Sequence, residues 1–302
     1  MNNKVVIIGC GNVGMSYAYA LLNQRTYVNK LVLIDLDEKR LEGEVMDLNH
    51  CLSYAPSKIS INKGAYNDCS DAKIVVIAAG VNQKEGETRL NLLERNANIF
   101  KNIIDNVKNS GFNGIFLIAT NPVDIMTYIT YKYSNFPSNK VIGTGTSLDT
   151  ARLQLMIGKK LCINPKNIQG YVMGEHGDSE FIPWSNANIS LQNIKEFFNE
   201  EELKSIEYDV KNAAYEIIER KGATYYGIGM TLVRITNAIL GNENLILPLS
   251  VLDKENDMYI GRPCIIGIDG IRDIKLNLTD EENFKYKRSI NILKDEIKNL
   301  QM

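Results

Sequence analysis

Residues 74–81 read Ile-Val-Val-Ile-Ala-Ala-Gly-Val, an apolar stretch with no polar residue in it. Four more runs of strand length occur in the first half, at 5–9, 31–35, 115–120 and 141–143, each bounded by Gly, Asn or Asp. A strand that is apolar at every position has to be buried on both faces. Such strands belong to parallel sheets covered by helices on either side. Helical periodicity fills the gaps, at 13–24, 39–52, 90–108 and 123–133, as that architecture requires. The pattern predicts a doubly wound α/β domain. None of the runs approaches the ~20 residues needed to cross a membrane.

Beyond Gly145 the rhythm changes. Ser147 can cap a helix running to about residue 160, and 200–221 and 231–240 also read as helices. Residues 260–274 carry paired β-rich runs broken by Gly267 and by Asp269-Gly270, a good hairpin turn. Ile290, Leu293, Ile297 and Leu300 recur at helical spacing, which predicts a terminal amphipathic helix packed on the body. A chain of 302 residues accommodates two domains. The expected division is 1–145, a doubly wound parallel sheet, and 146–302, an α+β domain that shares a close interface with it.

Gly9-Cys10-Gly11-Asn12-Val13-Gly14 follows the first strand directly and fits G-x-G-x-x-G. Gly9 allows a tight turn, Gly11 lets the backbone approach a pyrophosphate, and Gly14 lets helix and strand pack closely. The next helix points its N-terminus, with its free N–H groups and dipole, at the same place. Asp35 ends the second strand about 20 residues further on, where a carboxylate accepts hydrogen bonds from ribose hydroxyls and repels a 2′-phosphate. This is the Rossmann pattern for NAD. Arg40 is the opposing feature, since a cation there can hold the extra phosphate of NADP.

Bulk properties exclude other classes. The 34 Lys and Arg balance 36 Asp and Glu, for a formal charge of −2, whereas nucleic-acid binders carry a basic excess. A composition of 44% hydrophobic and 23% charged residues is ordinary for a globular chain. Cys10, Cys51, Cys69, Cys162 and Cys264 are scattered, odd in number and without a C-x-x-C pair. They read as reduced, mostly buried thiols of a cytoplasmic protein, with no disulfide framework and no metal site. No A-x-A-like cleavage site follows the first apolar run.

The chain has two histidines. His176 lies in Gly174-Glu175-His176-Gly177-Asp178-Ser179, after the apolar run 168–173. It can reach a ligand from there or simply cap a carbonyl in a turn. His50 closes a predicted helix, where a ring donor suits the exposed carbonyls. Asp149 and Arg152 sit three apart on one helix face. They can form a local ion pair, or the Arg can grip a carboxylate while the Asp fixes a histidine tautomer. The polar, glycine-hinged segment 79–89 has the composition of a mobile lid or of a plain solvated loop. Asn121-Pro122 follows another strand end, and a cis bond there would aim the Asn into the crevice.

Together these residues resemble one family closely, the L-lactate/malate dehydrogenases. The motifs are Gln83-x5-Arg89, Asn121-Pro122-Val123-Asp124, Asp149-Thr150-Ala151-Arg152 and Gly174-Glu175-His176-Gly177-Asp178. The similarity extends from Gly9 through residues 221–226 to Gly261-Arg262-Pro263. The resemblance implies hydride transfer between NADH and the keto carbon of pyruvate, with His176 as proton donor and the reverse reaction oxidising L-lactate. It implies that Asp149 stabilises the His176 imidazolium, that Arg152 forks onto the substrate carboxylate, and that Arg89 arrives with the closing loop. Asn121 and Thr224 would help line the substrate pocket. Cofactor contacts would fall on Gly9, Gly11, Val13, Gly14, Asp35, Arg40, Tyr66, Gly80, Val81 and Asn121.

Gln83 separates the two closest substrates. Malate dehydrogenases carry an arginine at this place in the loop, which pairs the second carboxylate of oxaloacetate. A neutral Gln83 would leave that charge buried and unpaired, at a cost on the order of several kcal/mol. The adjacent Lys84 is expected to face solvent. Pyruvate is therefore favoured, with malate or a bulkier 2-hydroxy acid as the alternative and a non-catalytic NAD-binding protein as a more distant one. Relatives activated by fructose 1,6-bisphosphate carry an Arg and a His where this chain has Gln154 and Gln169. No activation by the bisphosphate is expected. The first strand begins near Lys4, leaving no room for the N-terminal arm of vertebrate relatives. The resemblance implies a homotetramer, with a dimer as fallback.

Overall fold

The computed structural model describes residues 2–81, 86, 89–298 and 300. Its first half runs β1 (Lys4–Ile8), α1 (Asn12–Leu22), β2 (Lys30–Ile34), α2 (Glu38–Cys51), β3 (Ser60–Lys63) and β4 (Ile74–Ile77), then α3 (Arg89–Asn109), β5 (Ile115–Ile118), α4 (Val123–Ser134) and β6 (Val141–Gly143). The second half runs α5 (Ser147–Leu161), β7 (Ile168–Gln169), β8 (Asn188–Ile189), β9 (Gln192–Asn193), α6 (Glu200–Lys221) and α7 (Tyr226–Leu240), then β10 (Leu245–Asp253), β11 (Met258–Gly267), β12 (Gly270–Asp273) and α8 (Asp280–Lys298).

The continuous apolar runs are explained by where alternate side chains go. Val5 and Ile7 of β1 enter a cluster with Tyr17, Leu21 and Leu232, while Val6 and Ile8 enter another with Phe100, Ile104 and Ile129. In β4, Ile74 and Val76 join the first cluster and Val75 and Ile77 the second. Helices α1 and α7 therefore cover one face, and α3 and α4 the other. Each such side chain contributes about 1.5–3 kcal/mol by full burial. The parallel strands lie in the order β3-β2-β1-β4-β5-β6. The connectivity reverses direction at β1 and β4, and the crevice at their C-terminal ends is where such sheets take ligands.

The sheet does not stop at β6. Ser250 of β10 pairs antiparallel with Gly143, so β10, β11 and β12 extend the same sheet to nine strands among the described residues. A third apolar cluster, built from Leu153 and Ile157 of α5, Leu203, Ile206 and Val210 of α6 and the small sheet β7-β8-β9, forms the remainder of the second half.

Several sequence expectations need correction. Ser147 is the first helical residue of α5, not its cap. Thr146 holds the cap position, but its hydroxyl donates to the Val172 carbonyl at 2.6 Å rather than capping the helix, and the Ser147 hydroxyl donates to the Pro248 carbonyl at 2.8 Å. Helix α7 starts earlier than 231, because two glycines in its first turns hide the helical pattern. One of them, Gly229, packs so closely that a Cβ would lie 2.8 Å from the Ser16 carbonyl carbon of α1. The β11–β12 turn is centred on Ile268-Asp269, with Gly270 opening β12. Gly270 has φ +93° and abuts the Asn139 carbonyl. The run 168–173 yields only the two-residue β7 and a bridge at Met173. The cysteines are mostly buried as expected, Cys10, Cys69 and Cys264 fully and Cys51 partly, with Cys162 exposed.

Candidate active site

Gly9, Asp35, Gly80 and Asn121 all lie just past the C-terminal ends of parallel strands, on one edge of the sheet. Gly9 turns with φ +97°, and a Cβ there would lie 2.4 Å from the Ala79 nitrogen. A Cβ on Gly14 would run into the Gly9 carbonyl oxygen. Gly11 differs: it caps α1 without a side-chain bond, and a Cβ on it would meet nothing within 4 Å. The first and third glycines thus close the loop on itself, while the second leaves the amide-bearing helix end open to an anion.

Asp35 is held by that loop. Its Oδ2 accepts the Cys10 N–H at 2.6 Å and its Oδ1 accepts the Asp37 N–H at 3.0 Å. Those bonds orient the carboxylate and leave lone pairs for ribose hydroxyls. Arg40 forms an exposed i,i+4 pair with Glu44 at 3.4 Å, a weak interaction by itself. The residues present suit NAD. Val81 donates its N–H to Asn96 Oδ1 at 3.0 Å, fixing the chain just past β4. Val13 packs on the edge of the α1 cluster, and the half-buried Tyr66 lies against the opposite one. The Asn121-Pro122 bond is cis, and Asn121 is exposed.

The second group of residues is gathered by the loop 174–180. Reciprocal backbone bonds of 2.8 Å between Met173 and Phe181 close its base, and Gly174 bonds to Gly261 of β11 at 2.9 and 3.0 Å. His176 therefore sits in a loop clamped at its base. Its backbone N–H donates to Asp124 Oδ2 at 2.8 Å, and Asp124 Oδ1 accepts the Ser250 hydroxyl at 2.5 Å. Glu175 is tied to Ser289 of α8 at 2.6 Å, and Asp178 to Tyr215 of α6 at 2.9 Å.

With the loop so held, His176 Nδ1 lies 2.6 Å from Asp149 Oδ2, while Arg152 Nη1 donates to Asp149 Oδ1 at 2.6 Å. Asp149 is 2% exposed, whereas the His176 side chain keeps 24% of its surface accessible. Burial works against the His176 charge, but the Asp149 carboxylate, by charge and hydrogen bond, reverses that and lifts the imidazole to about 9. Burial also opposes the Asp149 anion, yet His176 and Arg152 hold it below the ordinary carboxylate range. Burial pushes Asp124 up to about 6, against the bonds it accepts from Ser250 and His176. An imidazolium backed by a buried anion, with its outer edge reachable, is suited to give a proton to a bound ligand.

Residues 3–143 match the model of the lactate/malate dehydrogenase NAD-binding domain, and 146–302 match that of the lactate/malate dehydrogenase alpha/beta C-terminal domain. The chain belongs to the lactate/malate dehydrogenase family. The L-lactate dehydrogenase of Halalkalibacterium halodurans is 51% identical over 97% of this chain and 96% of its own length. L-lactate dehydrogenase 2 of Bacillus cereus is 49% identical over the same shares. Among solved structures, a lactate dehydrogenase from a Medee basin deep-sea metagenome library superposes with a TM-score of 0.97 at 51% identity, covering 100% of this chain and 99% of that one. The minor L-lactate dehydrogenase of Enterococcus mundtii, in its ligand-bound form, also gives 0.97, at 43% identity and the same coverage.

Within this dehydrogenase the remaining sequence candidates fall as follows. Arg89 is the first residue of α3. Gln83 and Lys84 lie outside the described residues. Thr224 is half-buried between the αL cap Gly222 of α6 and the start of α7. Gln154 donates its amide to the Ile168 carbonyl at 3.1 Å, and Gln169 is exposed on β7. His50 is exposed in the last turn of α2. Asp124 and Ser250, which hold the His176 backbone, received no role from the sequence. Asp124 was visible as part of the Asn121-Pro122-Val123-Asp124 motif, but Ser250 carried no local signal.

Proposed function

We propose that this chain interconverts pyruvate and L-lactate with NAD, residues 1–145 holding the cofactor and 146–302 supplying most of the groups that act on substrate. The observation that carries the reading is the His176–Asp149–Arg152 arrangement, at 2.6 Å on each side of Asp149, in a chain about half identical to enzymes named L-lactate dehydrogenase.

Bound NADH supplies the hydride that reaches the keto carbon. His176 gives its proton to the keto oxygen, and Asp149 stabilises the imidazolium before the transfer and fixes the ring tautomer throughout. Arg152, whose Nη1 already pairs with Asp149, presents its remaining donors to the substrate carboxylate and sets its register. Arg89 adds positive charge where the carbonyl oxygen becomes negative. Asn121 and Thr224 border the substrate. Gly9, Gly11, Val13, Gly14, Asp35, Arg40, Tyr66, Gly80, Val81 and Asn121 form the NAD cleft, where Asp35 excludes a 2′-phosphate. In the oxidation of L-lactate, neutral His176 takes the hydroxyl proton.

Gln83 directs the site to a monocarboxylate, and the neutral Gln154 and Gln169 leave the enzyme without activation by fructose 1,6-bisphosphate. We place the protein in the cytoplasm as a homotetramer, on family resemblance, with a dimer as fallback. Among the described residues no helix is long and apolar enough to cross a membrane.

The test follows NADH consumption with pyruvate and oxaloacetate in parallel, each with and without fructose 1,6-bisphosphate. Rapid turnover of pyruvate, little of oxaloacetate and no response to the bisphosphate are expected. Faster turnover of oxaloacetate would overturn the reading of Gln83. A large fall in the pyruvate KM on adding the bisphosphate would overturn that of Gln154 and Gln169. Light scattering of the purified protein checks the tetramer.

A further inference from the structure

The loop 174–180 ends in a buried acid that the His176–Asp149–Arg152 arrangement does not use. Glu180 is 4% exposed, and its Oε1 has no hydrogen-bond partner among the described residues. One of its carboxylate oxygens, one of Asp149 and a ring nitrogen of His176 lie within 4.8 Å of one another. A buried carboxyl with an uncommitted oxygen is costly and calls for a physical reason. The residue types would suit a cation, but the atoms do not leave it a place. Asp149 Oδ2 and His176 Nδ1 are 2.6 Å apart, a hydrogen bond, and Asp149 Oδ1 is taken by Arg152.

We propose that Glu180 is a positioning residue for the proton transfer, its carboxyl flanking the His176–Asp149 pair and, once ionised, keeping the imidazole protonated. This rests on the reading of His176 as proton donor. Several charged groups among the described residues bear on the loop. Asp149 and Arg152 face it from α5 and Asp124 from α4, while Glu175 acts on Asp124 and Lys211 of α6 acts on Glu180. Asp149 and Arg152 offset each other, and Asp124 is bound by Ser250 and the His176 N–H. Glu180 is the acid whose Oε1 remains uncommitted. Burial, reinforced by the Asp149 anion, raises its carboxyl to about 9, the range in which His176 also titrates. Loss of the Glu180 proton creates an anion beside the imidazolium and opposes loss of the second proton. The two groups therefore titrate as a linked pair.

The chain has only two histidines, so ring-labelled full-length protein gives two imidazole signals by NMR, and a His50→Asn variant assigns them. Glu180→Gln, neutral at every pH, is expected to lower the His176 midpoint by about one unit. The alkaline limb of kcat/KM for pyruvate should move down with it, and Glu180→Asp should restore both. A Gln variant that loses activity at every pH while its His176 curve superposes on the parent's would overturn the proposal. The parent supplies an independent measurement should the Gln variant not fold. Its His176 curve must be broadened by a coupled group, and a simple one-proton curve sinks the idea. A parent that fails to turn over pyruvate would count against the proton-donor reading instead, while the titration still decides the role of Glu180.

Discussion

Asp149 lies between His176 and Arg152, with one carboxylate oxygen 2.6 Å from the imidazole and the other 2.6 Å from the guanidinium. One buried anion therefore orients the proton donor and steadies the residue assigned to the substrate carboxylate. Asp149→Asn keeps the shape and removes the charge. It should lower kcat/KM for pyruvate by about 10²- to 10⁴-fold, while the Kd for NADH, measured by fluorescence, changes little. An equal loss in both would mean that the substitution disturbs the fold rather than the proton transfer.

The pH dependence follows from His176, raised from 6.5 to about 9. Reduction of pyruvate needs the imidazolium, so kcat/KM should hold through neutral pH and fall as pH rises through about 9. Oxidation of lactate needs the neutral ring and should rise over the same interval. Folding is linked with the same sign. A group that binds its proton more tightly when folded contributes stability that is full below 6.5 and lost as pH climbs through about 9. Initial rates in both directions, beside urea midpoints across pH, check both parts. Parallel rather than opposed rate profiles would rule His176 out as the shared group.

The glycine loop and the strand end beside it were legible in the sequence because their logic is local. Gly9 turns the chain, Gly14 packs against it and Gly11 leaves the helix end open, and Asp35 follows a strand that is apolar from Leu31 to Ile34. Edge strand β3 was not legible, since Ile61 is its single buried residue and leaves no pattern to read. The first turns of α7 were hidden by Gly227 and Gly229, which are set by tertiary contact rather than by helix propensity. The same limit applies in the active site. His176, Asp149 and Arg152 stood out through resemblance to a family, but the link from Ser250 through Asp124 to the His176 backbone joins β10, α4 and a loop. Glu180 likewise gains its meaning only from what surrounds it when the chain is folded.

Cofactor choice is tested at Asp35. Its oxygens accept the Cys10 and Asp37 N–H groups, and Arg40 is held by Glu44 at 3.4 Å. Asp35→Asn keeps an acceptor but removes the repulsion of a 2′-phosphate. The Arg40–Glu44 pair is exposed and contributes little, so the guanidinium is free to exchange partners. The KM for NADH should rise about 10-fold, as loss of hydrogen bonds to a charged group predicts, and turnover with NADPH should become measurable. Adding Glu44→Gln should improve NADPH use further. No gain from the second change would show that Arg40 does not reach the phosphate.

The fold itself makes a prediction about how the two halves communicate. Helix α1 leads from the glycine loop and α7 follows Thr224, and they cross at Gly229. A Cβ there would lie 2.8 Å from the Ser16 carbonyl carbon and 3.0 Å from the Tyr17 nitrogen. The buried Tyr17 and Thr236 hydroxyls bond across the same contact at 2.6 Å. Gly229→Ala forces backbone apart from backbone, which overpacking series put at about 1–3 kcal/mol. Gly43→Ala is the matched control. It lies inside α2 with nothing within 4 Å of its would-be Cβ, so the same methyl should be neutral or stabilise by up to ~1 kcal/mol through helix propensity. Urea unfolding of both variants gives the two signs. NADH affinity should weaken in Gly229→Ala alone, because the added methyl displaces α1, the helix proposed to point its N-terminus at the pyrophosphate. Equal stability of the two variants would mean that the α1–α7 crossing can relax, and that it does not couple the substrate loop to the cofactor cleft.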